Sequence, residues 1–269
     1  MKKQKIRKKE EKSAYTSSVP AVNEALQILV YMSRDSVNKM NLTEICNSLG
    51  IHKSKAYSIL NTLQHYDFIQ KDEIGKTYSL GPGLISLSRK VLDNFNYREI
   101  VRPSLEALAD ETQCSAIFGV IVGNSLLIVA KRDTGAKFGV TIGVGNNFPL
   151  TWGAHGKAIV AFMEESERQK ILESDELFFH GDPSALNRET LSSEFNKCRQ
   201  TGYAIDLGKM NQGINAAAAP VFRQDKVIGA IFVVGTFPKD KASSFGTLVA
   251  GKAHEISVLF GEKDNILND

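Results

Sequence analysis

The chain has 269 residues, 42% of them hydrophobic, and a formal net charge of +3. That length and apolar content suit one large or two modest globular domains and exclude a disordered chain. No apolar run approaches the roughly 18 to 20 residues of a membrane span, and the basic opening MKKQKIRKKEEK is not followed by a signal-peptide core, so a cytoplasmic protein with no membrane partner is expected.

Charge is distributed unevenly along the chain. Residues 1–80 carry 13 basic and 8 acidic side chains, and residues 81–269 carry 20 and 22. A basic first third on a slightly acidic remainder fits a polyanion-binding head on a separate body, although a solubilising tail accounts for the first lysines equally well. Residues 1–18 are read as a basic, disordered tail. VPAVNEALQILVYMS then sets Val22, Ala25, Leu26 and Leu29 on one helical face. Asn41 and Glu44 have capping-box spacing at the start of a second helix, and Gly50 stands where its C-terminus needs a left-handed residue. A third helix follows, with Ala56, Ile59, Leu60 and Leu63 as its apolar stripe. Two strand-like runs, Phe68–Lys71 and Thr77–Leu80, flank a Gly-containing turn. Helix, helix, short turn, helix and hairpin is the order of a winged helix-turn-helix, over residues 19–81.

At about 100° per residue, the third helix turns Ser54, Ser58, Asn61 and His65 away from its apolar stripe, with Lys55 and Tyr57 on the flanks. These short polar side chains suit close approach to base edges. Asn61 matches the donor–acceptor pair of adenine, and Lys53, Ser54, Lys55, Tyr57 and Ser58 complete the expected reading face. Lys71 and Lys76 flank the wing turn as candidate phosphate contacts, opposed by Asp72 and Glu73. The other reading of this surface is the solvated face of a protein-interaction module.

GPGLISLSRKVLDNFN, residues 82–96, reads as a linker helix. Its stripe of Leu84, Leu87, Val91, Leu92 and Phe95 packs on another subunit or domain, or on its own domain. In residues 97–262, YREIVRPSLEALADETQ reads as a helix with Pro103 at its start or at a kink. SAIFGVIV and SLLIVAKRD form a hairpin through a Gly-Asn turn, and KFGVTIGVGNNF is a further strand region. AHGKAIVAFM, SERQKILES and SSEFNKCRQTG are helices. YAID is a strand, AAAAPVF and VIGAIFVVGTF a second hairpin, and about Ala242–Phe260 a closing helix; residues 263–269 are a tail. Hairpins with intervening helices predict an α/β domain with a mainly antiparallel sheet.

No GxSxG, HExxH or P-loop is present, and GVGNNF lacks the third glycine and following helix of a dinucleotide site. Cys46, Cys114 and Cys198 form no CxxC or Cys/His cluster, so neither structural zinc nor a disulfide framework is expected, and no cofactor is assigned. TWGAHGKAIVAF places Gly153 to Gly156 at a helix start, where exposed amides and the helix dipole suit a carboxylate. His155 and Asp206 have the chemistry of an acid/base pair but no accompanying nucleophile, which leaves a small-molecule enzyme as the remaining alternative.

The fragments LTEICNSLGIHKSKAYSILNTLQHYDFIQKD, YSLGPGLISL, VRPSLEALADET, GKAIVAF, GYAID and AAAAPVF, in this order and spacing, resemble the IclR family of bacterial transcription regulators from about Val19 onward. The resemblance implies a DNA-binding head, a linker helix and a GAF-like α/β effector domain. It also implies a homodimer or tetramer on double-stranded operator DNA, with metabolic genes controlled by a small, carboxylate-bearing effector, repression being preferred to activation. By position, the family's ligand-holding residues fall on Ala154, His155, Asp206 and Ala216, although a turn carboxylate at a strand end is an equal reading of Asp206. The family often has a small residue at His155, a Cys at Ala216, acidic residues at Gly208 and Lys209, and Arg at Ser58, so neither effector nor operator can be borrowed from it.

Overall fold

The computed structural model describes residues 19–34, 37–94, 97–134, 142–174 and 176–266, without side chains at 89–98, 185 and 262–266. The tail over residues 1–18, the end of the second tail and much of the KFGVTIGVGNNF strand region lie outside the described residues. The chain divides into two compact units between Val91 and Leu92.

In the first unit, α1 (Pro20–Met32) is followed by β1 (Met40–Asn41), α2 (Leu42–Leu49), α3 (Lys53–His65), β2 (Ile69–Asp72) and β3 (Thr77–Leu80). The three strands make an antiparallel sheet in the order β1-β3-β2. The capping box is complete: the Asn41 side chain accepts from the Glu44 amide at 3.0 Å, and the Glu44 carboxylate accepts from the Asn41 amide at 2.8 Å. Gly50 ends α2 at φ 66°, a left-handed backbone that glycine adopts without steric cost. The core is built from Ile28, Met32, Ile45, Ala56, Ile59, Leu60, Leu63, Ile69 and Tyr78. The face expected for α1 needs correction. Ile28 and Met32 are the buried positions, with Ala25 and Leu29 partly covered, whereas Val22 and Leu26 are exposed. The apolar residues of α1 wrap further round the helix than one stripe, so spacing alone could not choose the inward arc.

The predicted linker helix is α4 (Gly83–Asn94), on which Ile85 and Leu87 are exposed. The second unit continues with α5 (Tyr97–Thr112), which keeps Pro103 inside it, β4 (Ser115–Val122), β5 (Ser125–Arg132), β6 (Asn147–Pro149), α6 (Gly153–Ala161) and α7 (Glu165–Leu172). It closes with α8 (Arg188–Thr201), β7 (Ala204–Leu207), β8 (Asn215–Arg223), β9 (Lys226–Gly235) and α9 (Ala242–Ile266), which runs past the expected end at Phe260. Among the described residues, six antiparallel strands form one sheet in the order β6-β5-β4-β9-β8-β7.

Each sheet face is covered. Val101, Leu105 and Leu108 of α5 and Val249, Ala253, Ile256 and Phe260 of α9 pack on one side, against Phe118, Ala217, Ala219 and Ile231. Ala154, Ala158 and Ile159 of α6 and Leu191, Phe195 and Cys198 of α8 pack on the other, against Ile117, Ala218, Phe232 and Val234. β8 therefore reads as a continuous apolar run rather than an alternating one, and its alanines let helices approach from both sides. Pro220 is tolerated because β7 pairs only with Asn215–Ala218, leaving one edge of β8 unpaired beyond that point.

Gly156 fixes how closely α6 meets the chain before it. A Cβ there would lie 2.5 Å from the Leu150 carbonyl oxygen and 2.9 Å from the Thr151 carbonyl carbon, both backbone atoms. A Gly156→Ala variant is expected to lose about 1–3 kcal/mol, seen as a lower urea midpoint with unchanged slope.

Candidate DNA-reading face and effector pocket

α3 buries Ala56, Ile59, Leu60 and Leu63 and carries no Asp or Glu. Lys53, Ser54, Lys55, Tyr57, Ser58 and Asn61 are all exposed. Several are already engaged. Lys55 Nζ meets Glu24 of α1 at 2.7 Å, tying the two helices together. Ser54 Oγ lies 3.0 Å from His52 Nδ1, and Ser58 Oγ donates to the Ser54 carbonyl at 3.1 Å. Lys53, Tyr57 and Asn61 have no polar partner among the described residues, so their donors and acceptors are unspent.

The wing turn is set by Asp72, whose carboxylate accepts from the amides of Ile74 and Gly75 at 3.1 Å and from Lys39 Nζ at 3.2 Å. These bonds, the Gly75 amide first, hold its carboxyl below the usual range. Lys71 pairs with Glu73 at 2.8 Å. The two acidic residues that weighed against this surface are thus neutralised locally. Lys76, exposed at φ 48°, makes no such pair among the described residues. Sequence reasoning missed Ile74, which is 98% exposed at the tip; its place in a hairpin turn was the signal available.

In the second unit, pairing of β7 with β8 sets Asp206 directly opposite Ala216. Ala154 and His155 lie in the first turn of α6, on the same side of the sheet as Ala216 and Phe232. Asp206 accepts from the backbone amides of Lys209 and Met210 at 3.2 and 3.1 Å. It therefore holds the turn after β7, and the Met210 side chain lies against Gly153, where a Cβ would come 2.8 Å from Met210 Cγ. The four positions expected to form a site are thus brought onto one face. The start of α6 is buried and has no side-chain cap; the Gly153 amide donates to the Phe178 carbonyl at 3.4 Å, which leaves the amides of Ala154 and His155 as the first-turn donors for an anion. Phe148, Trp152 and Phe178 form an aromatic wall, with Trp152 edge-on to Phe148 and stacked on Phe178.

His155 departs from the acid/base role its chemistry allowed. It is 8% exposed, stacked on Phe232 at 5.3 Å and tilted against Phe148 at 6.0 Å. Burial lowers its pKa to about 4, with a hydrogen bond to the Pro149 carbonyl acting weakly the other way. The imidazole is therefore neutral at physiological pH.

Sequence reasoning also missed a buried charge network beside the site. Lys157, 1% exposed, donates to the Ile205 carbonyl at 2.7 Å and faces Glu194 at 3.3 Å. Glu194 also meets His180 at 2.7 Å and Lys209 at 2.9 Å. Burial lowers the pKa of Lys157, partly offset by Glu194 and Asp206. Burial alone would raise that of Glu194, but Lys157, His180 and Lys209 together hold it below the usual range. A lone lysine within the otherwise apolar run GAHGKAIVA was the visible signal.

Two outcomes follow. His155 is neutral when folded and titrates near 6.5 when unfolded, so stability is complete above pH 6.5 and falls toward pH 4. The loss across that window is about 3 kcal/mol; urea unfolding at its two ends should show this slope in the wild type and not in His155→Gln. Lys157→Met should cost about 1–3 kcal/mol, because Glu194 loses its buried partner while keeping His180 and Lys209. The Glu194 contribution is present above pH 4.5 and fades as pH falls through its lower folded value, so the variant's acid transition should move to higher pH.

Comparison with known proteins places both units. Residues 21–73 match the IclR helix-turn-helix domain, and residues 89–258 match the bacterial transcriptional regulator IclR C-terminal domain. The chain is 30% identical to the uncharacterized HTH-type transcriptional regulator RhmR of Escherichia coli K12, over 92% of this chain and 96% of that protein. It is 22% identical to the transcriptional repressor IclR of the same organism, over 91% and 92%. A crystal structure of an IclR transcriptional regulator from Alicyclobacillus acidocaldarius superposes with a TM-score of 0.81 at 26% identity, over 91% of this chain and all of that one. An IclR homolog from Microbacterium hydrocarbonoxydans, complexed with 4-hydroxybenzoate, shares the fold at 14% identity, with a TM-score of 0.77 over 89% and 98%. With a helix-turn-helix head and an α/β body that match the family's two domains in order, this chain belongs to the IclR family of DNA-binding transcriptional regulators.

Proposed function

We propose that the protein is a cytoplasmic repressor of metabolic genes that binds a pseudo-palindromic operator as a homodimer or tetramer and is controlled by a small carboxylate in its C-terminal unit. Residues 19–81 act as the DNA-binding domain, 82–96 as the linker and 97–262 as the effector domain. The observation that carries the DNA reading is α3: a solvent face free of acidic side chains, with the side chains of Lys53, Tyr57 and Asn61 unspent. Asn61 reads a base, and Lys53 and Lys76 meet phosphates. Lys55 and Ser58 have first to release partners within the head, and Lys71 its pair with Glu73.

The effector reading rests on the buried, uncapped start of α6. Ala154 and His155 offer amides to the carboxylate, while Asp206 shapes the neighbouring turn, and Ala216 leaves room across from it. A 4-hydroxybenzoate complex in a protein of this fold supports a carboxylate of that size. Binding shifts the population between DNA-competent and incompetent arrangements by its unequal affinity for the two. The same residues support regulation rather than catalysis, because Asp206 is committed to the Lys209 and Met210 amides rather than to His155.

Fluorescence anisotropy on promoter fragments of its own and neighbouring operons tests this. Log affinity should fall linearly with log salt. Asn61→Ala should cost about 1–3 kcal/mol and relax discrimination at one base pair, while Lys53→Ala should weaken all sequences alike and reduce the salt slope by about 1. Salt-insensitive binding with no sequence preference would overturn the reading.

A further inference from the structure

The second unit holds a cavity that neither the DNA-reading face nor the start of α6 uses. Its volume is about 290 Å³, and it lies along β7, the last strand of the sheet, between α8 and the beginning of α9. None of Ala154, His155, Asp206 and Ala216 lines it. Its charged walls are Lys157, Lys197, Lys209 and Lys239, set against the single carboxylate of Glu194. Cys198 brings no negative charge, because burial pushes its thiol pKa up to about 12. Tyr203, Ile205 and Leu207 give the cavity an apolar side.

One carboxylate cannot satisfy four ammonium groups. Glu194 is shared among Lys157, His180 and Lys209. Lys197 and Lys239 are exposed and make no ion pair among the described residues. Lys157 is the more informative group, because it is buried and an ammonium carries three N–H donors. One donor meets the Ile205 carbonyl at 2.7 Å and another faces Glu194 at 3.3 Å. The third has no partner among the described residues. A donor of that kind, on a buried charge that lines a cavity, calls for an acceptor from outside the chain. Burial lowers the Lys157 pKa, and an anion entering the cavity acts in the opposite sense. Asp206 also acts in that sense, but it is committed to the Lys209 and Met210 amides and lies outside the cavity walls.

We infer that this cavity is a second ligand site, which takes a small phosphomonoester. Its phosphate meets the Lys157 ammonium and the unpaired Lys197 and Lys239, and its body lies against Tyr203, Ile205 and Leu207. Lysines are compact point charges that suit a doubly charged phosphate, whereas the arginine fork that matches a planar carboxylate is missing from the walls. Ala242 and Ser243 add the positive end of α9, a helix of 25 residues, and the Ser243 hydroxyl adds a further donor. The volume stands at the small end of the range for ligand sites, which limits the body to a single ring or a short chain. The site stands apart from the start of α6, so it does not depend on the effector reading given above.

Isothermal titration calorimetry on the full-length protein tests this. The probes are glucose 6-phosphate, ribose 5-phosphate and phenyl phosphate, each paired with glucose, ribose or phenol, together with inorganic phosphate. At least one phosphomonoester should bind about tenfold or more tightly than both its neutral counterpart and inorganic phosphate. Lys197→Gln and Lys239→Gln change exposed side chains, so the fold should be kept; together they should weaken that ester about tenfold or more. Lys170→Gln, on α7 and outside these walls, should leave the affinity unchanged. Three results would overturn the inference: no binding by any ester, a neutral counterpart that binds as well, or an affinity that survives the double variant. Inorganic phosphate binding as tightly as every ester would overturn it too, since the cavity would then hold an adventitious ion only. Carboxylate binding at the start of α6 should persist in both lysine variants, so failure here leaves that reading standing.

Discussion

A buried ammonium holds one face of the second unit together. Removing the Lys157 charge from water is costly unless strong acceptors replace the solvent. Those acceptors come from two other elements: the Ile205 carbonyl of β7 and the Glu194 carboxylate of α8. Glu194 passes the constraint on to His180 and to Lys209, in the turn that Asp206 also holds. One charge therefore registers α6, α8, β7 and that turn against each other. These are the elements that carry Ala154, His155 and Asp206, so any shift of α6 must carry this network with it or break it.

The head shows electrostatics used differently. Its ion pairs are local and exposed, and pairs of that kind contribute little stability. Their effect is on which side chains of the head remain exposed and unpaired among the described residues. Lys39 and two backbone amides absorb Asp72, and Lys71 absorbs Glu73. The wing then presents a turn in which Lys76 and the apolar Ile74 point outward, rather than the mixed-charge loop that its composition suggests. Lys55 is drawn to Glu24 and braces α3 on α1.

Much of this was legible beforehand wherever a local rule fixed the outcome. The capping box at Asn41, the left-handed Gly50 and the stripe of Ala56, Ile59, Leu60 and Leu63 each depend on residues a few positions apart, so spacing was enough. α1 was read on the wrong arc because Val22, Leu26 and Ile28 are equally apolar, and only the packing of α2, α3 and the sheet decides which of them is covered. At the site, the α6 start was visible in TWGAHGKA, and a turn carboxylate was one of the two roles open to Asp206. Which role it takes depends on a fold-back of backbone that no side-chain pattern reports.

The amino-acid sequence by itself determined the two-domain order, the elements of the winged head, the antiparallel α/β body and the family to which they belong. The elements follow from periodicity, caps and turns acting over short stretches of chain, and the family from the resemblance of motifs in their order. Tertiary structure alone decided the chemical state of the groups at the site. His155 is neutral because Phe148 and Phe232, drawn from separate strands, help to exclude water around it. Lys157 is a buried tie because β7 and α8 bring it a carbonyl and a carboxylate from far along the chain. Desolvation and hydrogen-bond partners belong to three-dimensional neighbours, and those neighbours exist only once the sheet has put them together.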